Sequence, residues 1–262
     1  MYSELFHIGS ITISSYSFFR IFGLVLGIFC FLFYIKKEKL PLTESAAFAI
    51  FGVVATILGG KLYNVGVQLI ENISNGETLT GGWKIAFQGG GSFYGGLTAG
   101  SFFALWYLWK FKLPFWRIGD ALSPAIALGH AFMKIGCFMA GCCYGIPSQL
   151  PWAVRFPDLN GPRHPSQLYE TVLNFINFAI LAVLWKKRKF EGQIVAIYVF
   201  NYSIIHFLMF YFRQHSDKNY IFRSTSIFWS LSVGQLINIL GLAAGVLLFI
   251  FLKKREKSKI GK

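Results

Sequence analysis

Long apolar runs separated by short polar loops make up most of this sequence. Each run is close to the roughly 20 residues that a helix needs to cross the hydrocarbon of a bilayer. The pattern predicts an all-α polytopic membrane protein in which residues 1–262 form a single integral membrane domain. About seven transmembrane helices are expected, at residues 13–35, 46–70, 93–109, 118–140, 168–185, 194–212 and 227–252.

The basic residues of the loops are concentrated on one side of these spans. Lysine and arginine clusters follow the first, third, fifth and seventh spans: Lys36, Lys37, Lys39, Lys110, Lys112, Arg117, Lys186, Lys187, Arg188, Lys189, Lys253, Lys254, Arg255, Lys257, Lys259 and Lys262. Cytoplasmic loops of membrane proteins carry an excess of such residues. We therefore expect the N-terminus outside and the C-terminus in the cytoplasm, as an odd number of spans requires.

Composition indicates the same class. Hydrophobic residues make up 55% of the chain, charged residues only 14%, and the mean hydropathy is +0.53. A soluble domain has about a quarter of its residues charged. The formal net charge of +14 does not indicate a nucleic-acid partner. Most of the basic residues flank apolar runs, where they set topology and contact anionic membrane lipid.

Two polar segments interrupt the apolar pattern. Residues 129–145 begin as a membrane helix but contain Lys134, several glycines and three of the four cysteines. Residues 164–170, with the sequence His-Pro-Ser-Gln-Leu-Tyr-Glu, open the fifth span. Charged and glycine-rich sequence at membrane depth is energetically costly, so it marks a site by default. We predict that these segments form the functional site.

Several cations lie within or just outside the apolar runs, where acidic residues are few. Arginine and lysine bind phosphate well, so the sequence predicts an outward-opening polar cavity for an anionic headgroup. Its expected lining is Arg20, Lys61, Lys134, His164 and Arg213. For Arg20 and Arg213 the alternative is that each side chain extends along its helix to the membrane interface.

Three segments resemble motifs of the bacterial prolipoprotein diacylglyceryl transferase family. Residues 164–170 are similar to its H-P-[ST]-Q-L-Y-E motif. Residues 134–142 (K-I-G-C-F-M-A-G-C) lie at the position of its signature G-R-x-G-N-F-x-N-x-E, and residues 91–97 (G-S-F-Y-G-G-L) resemble G-x-S-F-H-G-G-L. The resemblance covers essentially the whole chain and includes seven spans with the N-terminus outside.

The resemblance implies transfer of a diacylglyceryl group from phosphatidylglycerol to the lipobox cysteine thiol of a prolipoprotein, which forms a thioether and releases glycerol phosphate. It implies a multi-pass protein of the bacterial cytoplasmic (inner) membrane whose active site faces the outer leaflet. Phosphatidylglycerol would be the lipid donor and the prolipoprotein signal-peptide region the acceptor. The residues predicted to take part in catalysis are Tyr94, Lys134, Cys137, Cys142, His164 and Arg213. Those predicted to bind substrate are Tyr16, Arg20, Lys61, Gly136, Gly145, Gln167, Tyr169 and Glu170.

The signature site departs from the family pattern at several positions. They are Tyr94 (a histidine in the family), Lys134 (arginine), Cys137 and Ala140 (asparagines), Cys142 (glutamate), and His206 and Phe210 (arginine and glutamate of the sixth span). Because several of the replacements are themselves reactive in type, the pattern favours a divergent branch over a decayed copy.

Individual residues also have structural interpretations. Glu170 would be an ion-pair partner for an arginine such as Arg163, and the glycines would allow close approach of the backbone. The clustered cysteines are small packing residues, thiol nucleophiles, or metal ligands together with His130 or His164. Their spacing, C-x4-C-C, matches no strong zinc pattern, so we expect no metal and no tightly bound cofactor.

Three other functions compete with the one that the resemblance implies. The first is a phospholipid-dependent transferase with a different acceptor or a different transferred group. The second is a phospholipid-binding membrane protein without chemistry. The third is a thiol-redox or metal protein built on the cysteine cluster, in which the three clustered cysteines would matter together.

Overall fold

A computed structural model describes residues 4–8, 11–74, 91–157, 159–214, 220–222 and 231–260. The described residues form seven α-helices: α1 (Ser15–Lys37), α2 (Leu42–Ser74), α3 (Phe93–Lys110), α4 (Phe115–Met139), α5 (Ser166–Lys186), α6 (Gln193–Met209) and α7 (Val233–Ile260). Five of them, α1, α2, α4, α5 and α7, are long and apolar enough to cross a membrane. The prediction of a helical membrane protein is confirmed at this level, while seven crossings and their orientation stay predictions.

Short strands accompany the helices, and the sequence pattern missed them. Three antiparallel pairs form: β1 (Glu4–Ile8) with β2 (Ile11–Ser14), β3 (Val154–Arg155) with β4 (Pro162–Arg163), and β5 (Tyr220–Phe222) with β6 (Leu231–Ser232). Strands of two to five residues are too short to show a clear alternation of apolar and polar positions. The helical class predicted from the sequence holds, and these short strand pairs are an addition to it that the sequence pattern did not predict.

The last helix differs from its predicted span at both ends. The predicted start at Ile227 lies outside the described residues, and α7 begins at Val233. A capping box precedes it, in which the Ser232 hydroxyl accepts from the Gln235 amide while the Gln235 side chain accepts from the Ser232 amide. At the other end α7 continues through the basic tail to Ile260, because lysine and arginine are good helix formers.

The described residues form two compact units, of which one comprises Ile35–Ile118. In this unit α2 and α3 pack closely along much of their length. Phe48, Phe103 and Tyr107 stack between them, and the Tyr107 hydroxyl donates to the Glu44 carbonyl over 3.0 Å. A Cβ atom at Gly95 would overlap the Cβ of Tyr63 and lie 2.6 Å from the Gly59 carbonyl oxygen. Small residues at such a crossing let two membrane helices approach closely.

Replacing Gly95 with valine is expected to destabilise the protein by about 1–3 kcal/mol, because the added side chain has no space and forces α2 and α3 apart. Gly66→Ala is the matched control, since a Cβ at Gly66 meets no atom within 4 Å. Unfolding in mixed detergent micelles would measure both variants. Equal stability of Gly95→Val and the parent would show that the helices are not packed as closely as described.

The second unit comprises Met1–Tyr34 and Gly119–Lys262 and contains most of the polar residues named above. Its α1 and α4 cross at Gly23, where a Cβ would lie 2.9 Å from the Gly129 carbonyl oxygen. Leu181 of α5, Ala127 of α4 and Ile194 of α6 are fully buried in its core.

A buried carboxylate connects two helices of this unit. Asp120 of α4 has no exposed surface and accepts hydrogen bonds from the amides of Gly192, Ile194 and Val195 over 2.8–3.0 Å. These amides lie at the N-terminus of α6, where backbone donors lack intrahelical partners and the helix dipole favours negative charge. Asp120 therefore caps α6 and has a structural role that sequence analysis did not anticipate.

Candidate functional site

Polar side chains form stripes on the facing helices α4 and α5. On α4 they recur with helical spacing at His130, Lys134 and Cys137. The stripe on α5 is fully or nearly fully buried and consists of Gln167, Glu170, Thr171, Asn174 and Asn177. Residues three, four and seven positions apart share one face of a helix, so each stripe presents a polar edge within an otherwise apolar segment.

A buried ion pair joins the two stripes. Lys134 Nζ lies 2.6 Å from Glu170 Oε2, and the two side chains are only 6% and 1% exposed. His130 Nε2 lies 3.9 Å from the same oxygen. Charges removed from water require a close partner of opposite sign, and Lys134 provides it for Glu170. The sequence interpretation that paired Glu170 with Arg163 was therefore wrong.

Arg163 has other partners in the loop that precedes α5. Its guanidinium donates to the side chain of Gln214 and to the Gly145 carbonyl, and it lies 5.2 Å from the ring centroid of Tyr144. These contacts attach the segment before α5 to the segments that follow α4 and α6. Arg163 is thus a structural residue of this loop region.

A cavity of about 140 Å³ lies beside the ion pair. It is lined by Glu170, His206, Met209, Phe210, Arg213, Gly234 and Asn238. Among the described residues Arg213 makes no ion pair, so its guanidinium brings an uncompensated positive charge to the lining. The cavity can therefore accept an anionic group next to a neutralised Lys134–Glu170 pair.

Aromatic rings and histidines form one wall of this region. The His206 ring stacks on His130 with centroids 5.6 Å apart and an angle of 24° between the planes, and its centroid lies 4.1 Å from that of Tyr202. His130, Glu170 and His206 bring potential metal-ligand atoms within 4.8 Å of one another. The ammonium of Lys134 already occupies Glu170, so this trio is poorly suited to holding a further cation.

Three thiols meet just beyond the end of α4. The Sγ atoms of Cys137, Cys142 and Cys143 all lie within 4.8 Å of one another, and none of these cysteines is in a disulfide. The Cys142 thiol donates to the Cys137 carbonyl over 3.6 Å. The neighbouring thiols of Cys137 and Cys142, with Arg213 and Lys134 nearby, hold the pKa of Cys143 below the ordinary value of a thiol. Two cations, Arg213 and Lys134, thus lie near enough to act on the thiol of Cys143.

The His-Pro-Ser-Gln motif contacts residues 140–145, which follow α4, carry Cys142 and Cys143, and are called the thiol loop. Ser166 Oγ donates to the Cys143 carbonyl over 2.9 Å, and Gln167 Nε2 donates to the Cys142 carbonyl over 2.6 Å. Both donors are fully buried. Gln167, which we predicted to bind substrate, thus contacts the backbone of the loop in this structure.

His164 lies at the partly buried edge of the same region. Trp152 donates to the Tyr169 hydroxyl over 2.8 Å, and that hydroxyl lies 3.1 Å from His164 Nδ1. Burial lowers the pKa of His164 from its ordinary 6.5, because desolvation disfavours the imidazolium. A neutral His164 whose Nδ1–H donates to the Tyr169 oxygen has an unprotonated Nε2, which can accept a proton.

The two predicted substrate-binding glycines occupy tightly packed backbone positions. A Cβ at Gly136 would lie 3.2 Å from the Tyr16 carbonyl oxygen of α1. A Cβ at Gly145 would lie 2.5 Å from the Phe212 carbonyl oxygen and 2.6 Å from the His164 Cβ. Gly145 also donates its amide to the His164 carbonyl over 3.0 Å. Both glycines permit close approach, as the structural interpretation expected.

The remaining predicted residues are not among those that line the cavity. Arg20 is exposed on α1 and lies 5.8 Å from the ring centroid of Tyr16, a position that suits the interface interpretation. Lys61 and Tyr94 belong to the unit Ile35–Ile118, in which Tyr94 is 62% exposed. The structure brings together Lys134, Glu170, Arg213 and the thiol loop, whose backbone is hydrogen-bonded to Gln167. The roles of the other predicted residues stay predictions.

Several polar residues of the region were not among the predicted site residues, although His206 had been noted as a departure from the family pattern. His206 and Asn238 line the cavity, and Asn201 donates to Asn177 over 2.9 Å. The helical recurrence of polar residues from Gln167 to Asn177 would have identified the buried face of α5. We expected a motif at the start of this helix and did not follow the same face further along it.

Comparison with known proteins identifies the family of this chain. A family model described as prolipoprotein diacylglyceryl transferase matches residues 3–251. The phosphatidylglycerol–prolipoprotein diacylglyceryl transferase of Clostridium tetani is 33% identical over 205 residues, which are 75% of this chain and 80% of that protein. The protein of the same name from Aeromonas salmonicida is 31% identical over 214 residues (79% and 73%), and that from Aliivibrio salmonicida 29% over 261 (96% and 88%). The chain belongs to the prolipoprotein diacylglyceryl transferase family.

Proposed function

We propose that this protein transfers the diacylglyceryl group of phosphatidylglycerol to the cysteine thiol of a prolipoprotein. The thiol loses its proton, and the sulfur attacks the glyceryl carbon that carries the phosphate. The carbon–oxygen bond breaks, a carbon–sulfur bond forms, and glycerol phosphate leaves with the electron pair. The names of the relatives support the two substrates, since each relative is called a phosphatidylglycerol–prolipoprotein diacylglyceryl transferase.

One observation carries this proposal most directly, namely the placement of Arg213 at a polar cavity. Negative charge develops on the leaving phosphate, and a preorganised cation in a site with little water stabilises such charge strongly. Arg213 lines the cavity without an acidic partner among the described residues, while Lys134 is neutralised by Glu170 2.6 Å away. Arg213 is therefore the group we assign to the phosphate.

We assign proton removal from the acceptor thiol to His164, because the thiolate is the nucleophile. His164 is fixed by Tyr169 and adjoins Gly145, which connects it to the thiol loop and to Arg213 through backbone contacts. The positive-inside pattern favours the outer leaflet of the bacterial cytoplasmic membrane as the place of reaction. The signal-peptide region of the acceptor would approach from that side.

The pH dependence of kcat/KM tests this assignment. A base acts only when it is unprotonated, and burial lowers the pKa of His164 below 6.5. We therefore expect the transfer rate to fall only as pH decreases through a midpoint below 6.5, and this acid limb to be absent in His164→Gln. An acid limb with the same midpoint in His164→Gln would assign the base to another residue.

A transfer assay tests the function itself. The purified protein in detergent receives phosphatidylglycerol labelled in its acyl chains and a lipobox peptide that contains either cysteine or serine. We expect label on the cysteine peptide only. Binding of phosphatidylglycerol without any labelled peptide would contradict the proposal and favour a different acceptor or a non-catalytic lipid-binding protein.

A further inference from the structure

Cys137 and Cys142, which the sequence predicts to take part in catalysis, form a thiol cluster with Cys143 that has no part in the transfer steps assigned to His164 and Arg213. The spacing C-x4-C-C predicted no metal site, yet folding brings the three Sγ atoms within 4.8 Å of one another. Three ligands at a tetrahedral Zn²⁺, each with a Zn–S distance of about 2.3 Å, lie about 3.8 Å apart. Bringing the thiols into contact with one ion therefore shortens their separations by at most about 1 Å.

The backbone around the cluster includes one uncommon conformation. Gly141, with φ of 69°, ends α4 as the usual left-handed glycine of a helix C-terminus. Cys143, with φ of 59°, is left-handed although it has a side chain, which indicates a position that the surrounding structure enforces. The enforcing contacts are the buried Ser166 and Gln167, which hold the carbonyls of Cys143 and Cys142. Orientation of ligands by surrounding hydrogen bonds is typical of metal sites.

The ligand set determines which metal it suits. Sulfur ligands select soft cations, and three thiolates at Zn²⁺ leave one tetrahedral position open. In the part of the chain that the structure describes, no fourth histidine, cysteine, aspartate or glutamate joins this cluster. Zinc sites with three protein ligands and one open position are those that act on a bound substrate, whereas structural sites have four.

We propose that Cys137, Cys142 and Cys143 bind Zn²⁺ and that the open coordination position takes the acceptor cysteine of the prolipoprotein. This second part rests on the proposed transferase function. A thiol that coordinates zinc is deprotonated, so the ion would hold the acceptor sulfur as a thiolate and His164 would take its proton. The bridge between Gly145 and Arg213 places the thiol loop next to the cation assigned to the phosphate. The ion would then hold the attacking sulfur, and the neighbouring Arg213 would hold the leaving phosphate.

Metal content is the first test. The full chain, purified in detergent without chelators, is expected to carry about one Zn²⁺ per chain. Single changes of Cys137, Cys142 or Cys143 to serine should lower zinc affinity by at least about tenfold. Cys30→Ser is the matched control, because Cys30 lies in α1, away from the cluster, and its replacement should leave the zinc content unchanged.

Thermal unfolding separates loss of the metal from loss of the fold. Added Zn²⁺ should raise the unfolding temperature of the metal-free parent and of Cys30→Ser, but not that of a folded cluster variant. A parent without zinc or cobalt binding would overturn the proposal, as would a disulfide between two of the three cysteines in place of the metal.

Cobalt substitution tests the open position. Co²⁺ in the parent should show the intense sulfur-to-metal absorption of a thiolate site, and the cysteine lipobox peptide should alter its ligand-field bands while the serine peptide does not. Metal binding without a response to the cysteine peptide would overturn the assignment of the fourth ligand. Label transfer by a metal-free protein would overturn the role of the ion in transfer and leave the transferase function standing. A peptide-responsive cobalt site without any transfer would refute the transferase function and leave the site standing.

Discussion

Replacing Arg213 with glutamine is expected to lower the rate of diacylglyceryl transfer by about 100- to 1000-fold, the usual cost of removing one preorganised group that stabilises charge in a transition state. Arg213 lines the cavity and makes no ion pair in the described part of the chain, so its charge remains available to a phosphate. Because that charge develops on the leaving group, the loss should appear mainly in kcat.

Two further variants make this experiment specific. Arg213→Lys keeps the charge but loses the two-pronged contact with phosphate oxygens, so it should recover part of the rate. Arg255→Gln removes an exposed arginine from α7 and controls for the change in net charge. The phosphate assignment fails if Arg213→Gln transfers label at the parental rate, or if it only raises KM in step with weaker lipid binding.

The sequence identified several residues of the site but not which of them contact one another. Lys134, Glu170 and Arg213 were identifiable because a charge within or beside a long apolar run is conspicuous whatever the fold. Their pairing was not identifiable. Arg163 is much closer to Glu170 along the chain than Lys134 is, and only the packing of α4 against α5 brings the ammonium within 2.6 Å. Helix-to-helix register is a tertiary property that no local pattern specifies.

The geometry of the thiol loop could not be predicted from the sequence for a different reason. The cluster was noted, but its spacing matched no common metal pattern, because such patterns describe ligands on regular turns. Here Gly141 and Cys143 have positive φ angles just beyond α4. Ser166 and Gln167, from another segment, donate hydrogen bonds to the backbone of this loop. Contacts between segments decided the geometry, and we had predicted substrate contact for Gln167 from its motif.

Composition and periodicity predicted the helical class of the fold but not its finer features. Apolar length identifies membrane helices, so the helical class followed directly from the pattern. The strands of two to five residues did not follow from the pattern, and neither did the role of Asp120, a buried carboxylate in a predicted span. An acidic residue in an apolar run suggests a functional site, yet its three amide partners make Asp120 the cap of α6.

The largest effect on stability is expected at the Lys134–Glu170 pair. Lys134→Met leaves the Glu170 carboxylate buried without its partner, and Glu170→Gln leaves the ammonium buried, so each single change should cost about 3–5 kcal/mol of unfolding free energy. The double variant Lys134→Met/Glu170→Gln removes both charges and should regain most of this loss. Lys134→Arg, which keeps a cation, is the matched control. Unfolding in mixed detergent micelles would measure all four variants.

Activity of the double variant separates structure from chemistry. If the pair only holds α4 against α5, the double variant should be stable and transfer label at nearly the parental rate. If the charges also shape the cavity beside Arg213, it should be stable but slow, and we expect the second result because Glu170 itself lines the cavity. Additive losses in the double variant would contradict both outcomes, since residues in direct contact are expected to show a coupling energy. Such additivity would mean that Lys134 and Glu170 are not partners in the folded protein.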